Sequence, residues 1–167
     1  IPRVPEGGRA RGVLADYQRQ QYAARTGRDF SRFSDAEMLD TLEYHVFPNF
    51  APWGGFGTNL VYRVRPNGFD PHSCLFEVMV TAPDPAGETP RDADLTMVPE
   101  DASWMTAPGM TGLGTVLDED VANLERVQKG LQSDGYQEMR FSRYQERLIR
   151  NLHRQVDEYL ARGAAGS

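Results

Sequence analysis

Cysteine occurs once in the 167 residues, at Cys74, which excludes an intrachain disulfide and any metal site built from cysteines. Histidine is almost as scarce: His45, His72 and His153 stand far apart, so no closely spaced histidine pair is available. No stretch of about 18 apolar residues is present, and the opening IPRVPEGGRARG has no apolar run of the kind a signal peptide carries. These absences predict a cytoplasmic protein without a membrane span. Positive charge is also in deficit, 18 Lys and Arg against 24 Asp and Glu, for a net charge of -6 and a pI near 5.1. That balance argues against wrapping nucleic acid non-specifically, and no nucleic-acid motif offsets it. The chain begins without Met, in the manner of a piece of a longer protein.

What is present fits an ordinary folded chain: 40% hydrophobic and 25% charged residues, enough for one core and for one domain or part of one. Residues 1–11 read as a tail. From Val13 to about Thr26 the composition favours a helix, with Leu14, Tyr17, Gln21 and Tyr22 on a broad weak face and Gly27 as its stop. Ser34 caps a short second helix, and Glu37 three positions later completes the spacing of a capping box.

Strand signals follow. YHVFPNF is aromatic and β-branched, with His45, Phe47 and Asn49 on one parity and Tyr44, Val46 and Pro48 on the other; Pro48, lacking an N–H, marks an edge or a bulge. APWGGFG reads as a connection, 59–65 as a second strand, PNGFDP as a turn and 73–81 as a third strand. The order predicts a three-stranded antiparallel meander with one wetter face and two edges needing cover. Phe56, Leu60, Tyr62, Phe76 and Val78 are the expected core contributions.

Residues 82–112 form a long irregular connection rich in Pro and Gly, a length that marks a functional cover or a mobile segment. Within it Trp104, Met105 and Met110 are expected to dock on something apolar. Two helices close the chain. The first carries Leu117, Val121, Leu124, Gln128 and Leu131 on one face and stops near Gly130. The second, capped by Ser142 with Gln145 at the capping-box position, carries Tyr144, Leu148, Leu152, Val156 and Tyr159 until Gly163. Arg143, Arg147, Arg150 and Arg154, interleaved with Glu146, Asp157 and Glu158, read as a solvated helix surface with i,i+4 pairs.

One residue breaks this pattern. On a wheel of about 100° per residue, Asp120 falls near the angular middle of the apolar stripe, while Asp118 and Glu119 fall on the solvent side or its margin. An unpaired buried carboxylate is costly and has its pKa pushed up, so a cation, a metal or hydrogen-bond donors should neutralise it. The alternative is a helix beginning near Leu117, whose free N–H groups and dipole would accommodate the acidic run without any ligand.

The block LDEDVANLERVQKGLQSDG and the helical YQERLIRNLHRQVDEYL, preceded by EYHVFPNF and NLVYRVRPNGFDPHSCLFEVMV, resemble the C-terminal part of the catalytic domain of Rieske-type aromatic-ring-hydroxylating dioxygenase alpha (large) subunits. In several members the ligand aspartate is followed by Asn three residues later and Glu five later; here these are Asp120, Asn123 and Glu125. The resemblance implies an α+β helix-grip (START/SRPBCC-like) domain fragment, an antiparallel sheet packed against a long C-terminal helix. It implies a mononuclear non-haem Fe(II) held by two histidines and Asp120, a 2-His-1-carboxylate triad with positions open for dioxygen.

The departures are equally specific. One cysteine cannot supply a Rieske [2Fe–2S] cluster, so that domain is absent from residues 1–167, and the iron histidines must come from elsewhere. His45, His72 and His153 are read as pocket-lining, turn and helix-surface residues. His45, Phe47 and Asn49 are the expected lining of the substrate pocket. By resemblance the parent takes electrons from a ferredoxin or reductase, ultimately NADH, acts on an aromatic molecule with dioxygen, and assembles as a trimer with or without a beta subunit; the fragment alone is expected to be inactive. The competing reading is a non-enzymatic helix-grip module that binds a ligand or partner and uses Asp120 only to anchor its helix.

Overall fold

The computed structural model describes residues 2–89 and 92–165, which fall into two compact units. One contains the described residues up to 89 together with those from 143 onward, and the other lies within 92–142.

The first unit opens with α1 (Ala10–Thr26), closed at Gly27, whose left-handed φ of 67° lets its N–H donate to the Ala23 carbonyl. The buried face of α1 is Ala15, Tyr22 and Thr26, not the broad face expected: Leu14, Tyr17 and Gln21 are exposed. The reason lies in α2 (Asp35–Leu39), which packs across α1 and brings Met38 into a core with Ala15, Tyr22 and Phe30. Phe56 joins this cluster edge-on, 5.3 Å from both Tyr22 and Phe30 and 4.8 Å from Phe33. The Tyr22 hydroxyl donates to the Phe56 carbonyl at 3.1 Å and accepts from the Asn59 amide at 2.9 Å, so the one polar tip in the cluster is satisfied. The capping box at Ser34 is formed in both directions.

The sheet has four strands, not three: β1 (Leu42–Glu43), β2 (Phe50–Gly54), β3 (Leu60–Asn67) and β4 (Asp70–Val80), antiparallel in the order β1-β2-β3-β4. The segment expected as one strand, YHVFPNF, folds back on itself. Val46 bridges Phe50, and residues 47–49 form the turn around a cis Phe47–Pro48 bond. Thus β2 occupies what had been read as a connection. The connection proper, 55–59, runs against α2: Phe56 N–H donates to Glu37 O at 2.7 Å, and a Cβ at Gly57 would lie 2.6 Å from Leu39 O.

Register separates the sheet faces. Trp53, Tyr62 and Phe76 make an aromatic ladder, with ring centroids 5.5 and 5.3 Å apart. The opposite face carries the wetter side: Glu77 bridges Arg63 directly across the β3–β4 pair and Arg65 at 2.6 Å. Leu60 is buried, whereas Phe56, Tyr62, Phe76 and Val78 are half-buried.

α4 (Arg147–Ala165) starts five residues beyond the cap expected at Ser142 and continues through Gly163. It meets the β1–β2 turn through Tyr159, whose ring lies 4.8 Å from Phe47. Leu152 is half-buried, while Tyr144, Leu148, Val156, Tyr159 and Leu160 are exposed. Arg154 pairs with Glu158 at the i,i+4 spacing. No helix among the described residues is long and apolar enough to cross a membrane.

Candidate functional site

The second unit is organised around α3 (Gly114–Leu131), preceded by a 3-10 turn at Trp104–Thr106. Ser103 caps that turn, its hydroxyl accepting from Met105 N–H at 3.1 Å. The turn lies against the first turns of α3 so closely that a Cβ at Gly114 would sit 2.7 Å from Met105 N. Leu117, fully buried, and Met110, 7% exposed, form the apolar centre. The expected docking of this connection is therefore present at Met110 and at half-buried Trp104, while Met105 is exposed.

Three acids follow on α3, and their surroundings differ. Asp118 is half-buried, and both of its oxygens are engaged: Oδ2 accepts from the Ser103 hydroxyl at 2.6 Å and Oδ1 from Trp104 N–H at 2.8 Å. Sequence reasoning took it for an adjacent surface acid. Ser103, directly ahead of Trp104, offers a local cap for residues 104–106, but no local signal in the sequence ties it to Asp118. Glu119 and Asp120 are exposed.

The helix starts at Gly114, so Asp120 is its seventh residue and lies beyond the four N–H groups left free at a helix start. The terminal-dipole explanation for this acid therefore does not apply. Asp120 and Asp118 are separated by about 200° of helical rotation, and so they point to nearly opposite sides of α3. Around Asp120 on that rotation lie Val116, Leu124 and Val127, at 50, 60 and 48% exposure. Among the described residues the side chains flanking Asp120 are thus apolar but exposed; Leu117, at the other margin, is buried. The carboxylate makes no hydrogen bond or ion pair among the described residues.

His45 is exposed on the β1–β2 hairpin, His72 is exposed within β4 instead of in a turn, and His153 is exposed on α4. Among the described residues no three His, Cys, Asp or Glu side chains are gathered where they could hold a metal. An open depression of about 430 Å³ in the second unit is lined by Glu100, Asp101 and Glu125.

The expected pocket lining divides at the turn. Alternation does not survive residues 47–49, so His45 shares no strand face with Phe47 and Asn49; the latter two are half-buried, and the Asn49 carbonyl accepts from Val64 N–H at 3.1 Å.

Comparison with protein families is decisive at the level of the whole chain: the family model for the ring hydroxylating alpha subunit (catalytic domain) matches residues 6–162. The chain belongs to that family. Membership supports aromatic ring hydroxylation, and hence oxidoreductase chemistry, at family level. Neither curated proteins nor solved structures match the chain. Against the iron that the family uses, this ring-hydroxylase chain fits in one respect and not in another. Asp120 offers an uncommitted carboxylate, a hard oxygen donor suited to Fe(II), but among the described residues no set of three His, Cys, Asp or Glu side chains is gathered that could complete a metal site.

Proposed function

We propose that the intact parent of this chain hydroxylates an aromatic ring with dioxygen, using electrons delivered through a Rieske cluster from a ferredoxin or reductase. In this reading residues 1–167 are the C-terminal portion of a helix-grip catalytic domain, and Asp120 is the carboxylate ligand of its mononuclear iron. Two histidines from outside the described residues complete the triad. When bound, the iron supplies the site at which dioxygen is activated. The observation that carries the reading is the division of labour within the acidic run: Asp118 has both oxygens committed, whereas Asp120 has neither.

The chain's own contribution follows from its surfaces. The apolar residues flanking Asp120 would exclude water once covered by the remainder of the domain. Phe47 and Asn49, at the hairpin turn beside α4, together with His45 on the hairpin arm, are assigned to the substrate pocket. The parent is assigned a trimeric assembly, with or without a beta subunit.

The test is isotopic. Full-length protein, supplied with its reductase, NADH and a panel of simple aromatic compounds under ¹⁸O₂, should give ring-hydroxylated product carrying the label, and Asp120→Ala should abolish it. Absence of labelled product from the native protein across the panel, with both metal centres loaded, would contradict the assignment.

A further inference from the structure

We infer that Asp118 is a positioning residue for Asp120: by clamping the Trp104–Thr106 turn onto α3 it fixes the rotation of the helix and so the direction from which Asp120 is reached. The inference rests on Asp120 being the metal carboxylate and adds a role for a residue that touches no reacting atom.

Three attachments define the clamp, all on one side of α3. Gly114 admits the Met105 backbone at a distance no side chain would allow. Leu117 is fully buried. Asp118 accepts one hydrogen bond from the Ser103 hydroxyl and one from the Trp104 backbone, the charge-assisted kind that is shorter and stronger than a neutral pair. The side-chain hydroxyl of Thr115 also reaches Met105 Sδ at 3.6 Å.

A helix held at one side by packing alone could roll by a fraction of a turn, because apolar contacts are not directional. Two hydrogen bonds to the two oxygens of a single carboxylate remove that freedom. Since Asp120 lies about 200° further around the helix, any roll at Asp118 is a roll at Asp120 of the same angle in a rigid helix. Ligand carboxylates tolerate little misplacement, and loss of a supporting group outside the ligand set typically costs about 10- to 100-fold in metal affinity.

The experiment titrates full-length protein, stripped of its mononuclear metal, with Co(II), reading the visible d–d bands for ligand geometry and the midpoint for affinity. Native protein, Asp118→Ala, Ser103→Ala and Asp120→Ala are compared, with melting temperature recorded for each. Asp118→Ala should weaken Co(II) by about tenfold or more and alter the bands. Ser103→Ala, which leaves the Trp104 bond, should do so by less, and it serves alone if Asp118→Ala does not fold. Unchanged Co(II) affinity and bands in folded Ser103→Ala and Asp118→Ala, with only the melting temperature lowered, would overturn the positioning role. If Asp120→Ala itself leaves Co(II) binding intact, the ligand assignment fails, whatever the other variants do.

Discussion

The backbone N–H of Trp104 donates to Oδ1 of Asp118 across 2.8 Å, tying an irregular connection to the helix that carries Asp120. The bond gives the acidic run an internal order. One acid holds structure, and another two residues later is left with its lone pairs free.

Leu117 is fully buried and Leu124 is 60% exposed, although both were expected on one buried face. Leu117→Ala should cost about 2–5 kcal/mol, and Leu124→Ala should stay within about 0.5 kcal/mol in this chain. Urea denaturation of residues 1–167 measures both. Equal losses would mean that the α3 stripe is covered as a whole.

In the other unit, Tyr22 is 6% exposed, and its hydroxyl links the Phe56 carbonyl to the Asn59 side chain. Tyr22→Phe keeps the ring and strands these two partners, a change worth about 1–3 kcal/mol. The same denaturation experiment reads it, and a neutral outcome would show that solvent satisfies both partners.

Acid should weaken the β3–β4 pair. Hydrogen bonds from Arg63 first and Arg65 second, reinforced by their charges, hold the Glu77 carboxyl below its ordinary range. The unfolded carboxyl titrates at about 4.3, so Glu77 stabilises the fold above that value and loses its contribution as pH falls through the lower folded-state value. Because all three groups are partly exposed, the effect should be modest and diminish with salt. Stability profiles from pH 7 to pH 2 for native chain and Glu77→Gln should converge at the acid end; parallel profiles would remove Glu77 from the account.

Local chemistry was legible wherever neighbours in sequence are neighbours in space. The Ser34–Glu37 capping box, the Gly27 stop and the end of α3 beside Gly130 all follow from side-chain and backbone preferences within one turn. Errors arose where tertiary contact or backbone reversal intervened. The alternation in YHVFPNF is real as a pattern, but the turn at 47–49 splits it between a hairpin arm and its tip. On α1 the crossing of α2 selected Ala15, Tyr22 and Thr26 over larger apolar residues.

For the candidate site, the wheel found the apolar surroundings of Asp120 but could not distinguish an apolar face that is buried from one left open. Nor could it reveal the task of Asp118, because Ser103 and Trp104 lie fifteen and fourteen residues before it and their approach depends on the packing at Gly114. The surface arginines of α4 were read correctly at Arg154 and Glu158, where the i,i+4 spacing alone decides the contact.

The most direct test of the central claim is the metal content of the full-length protein and its Asp120→Ala variant, with mononuclear iron and any Rieske cluster distinguished by Mössbauer spectroscopy. The account predicts that the variant loses the mononuclear iron and keeps the cluster. Mononuclear iron bound at native stoichiometry in folded Asp120→Ala would contradict it.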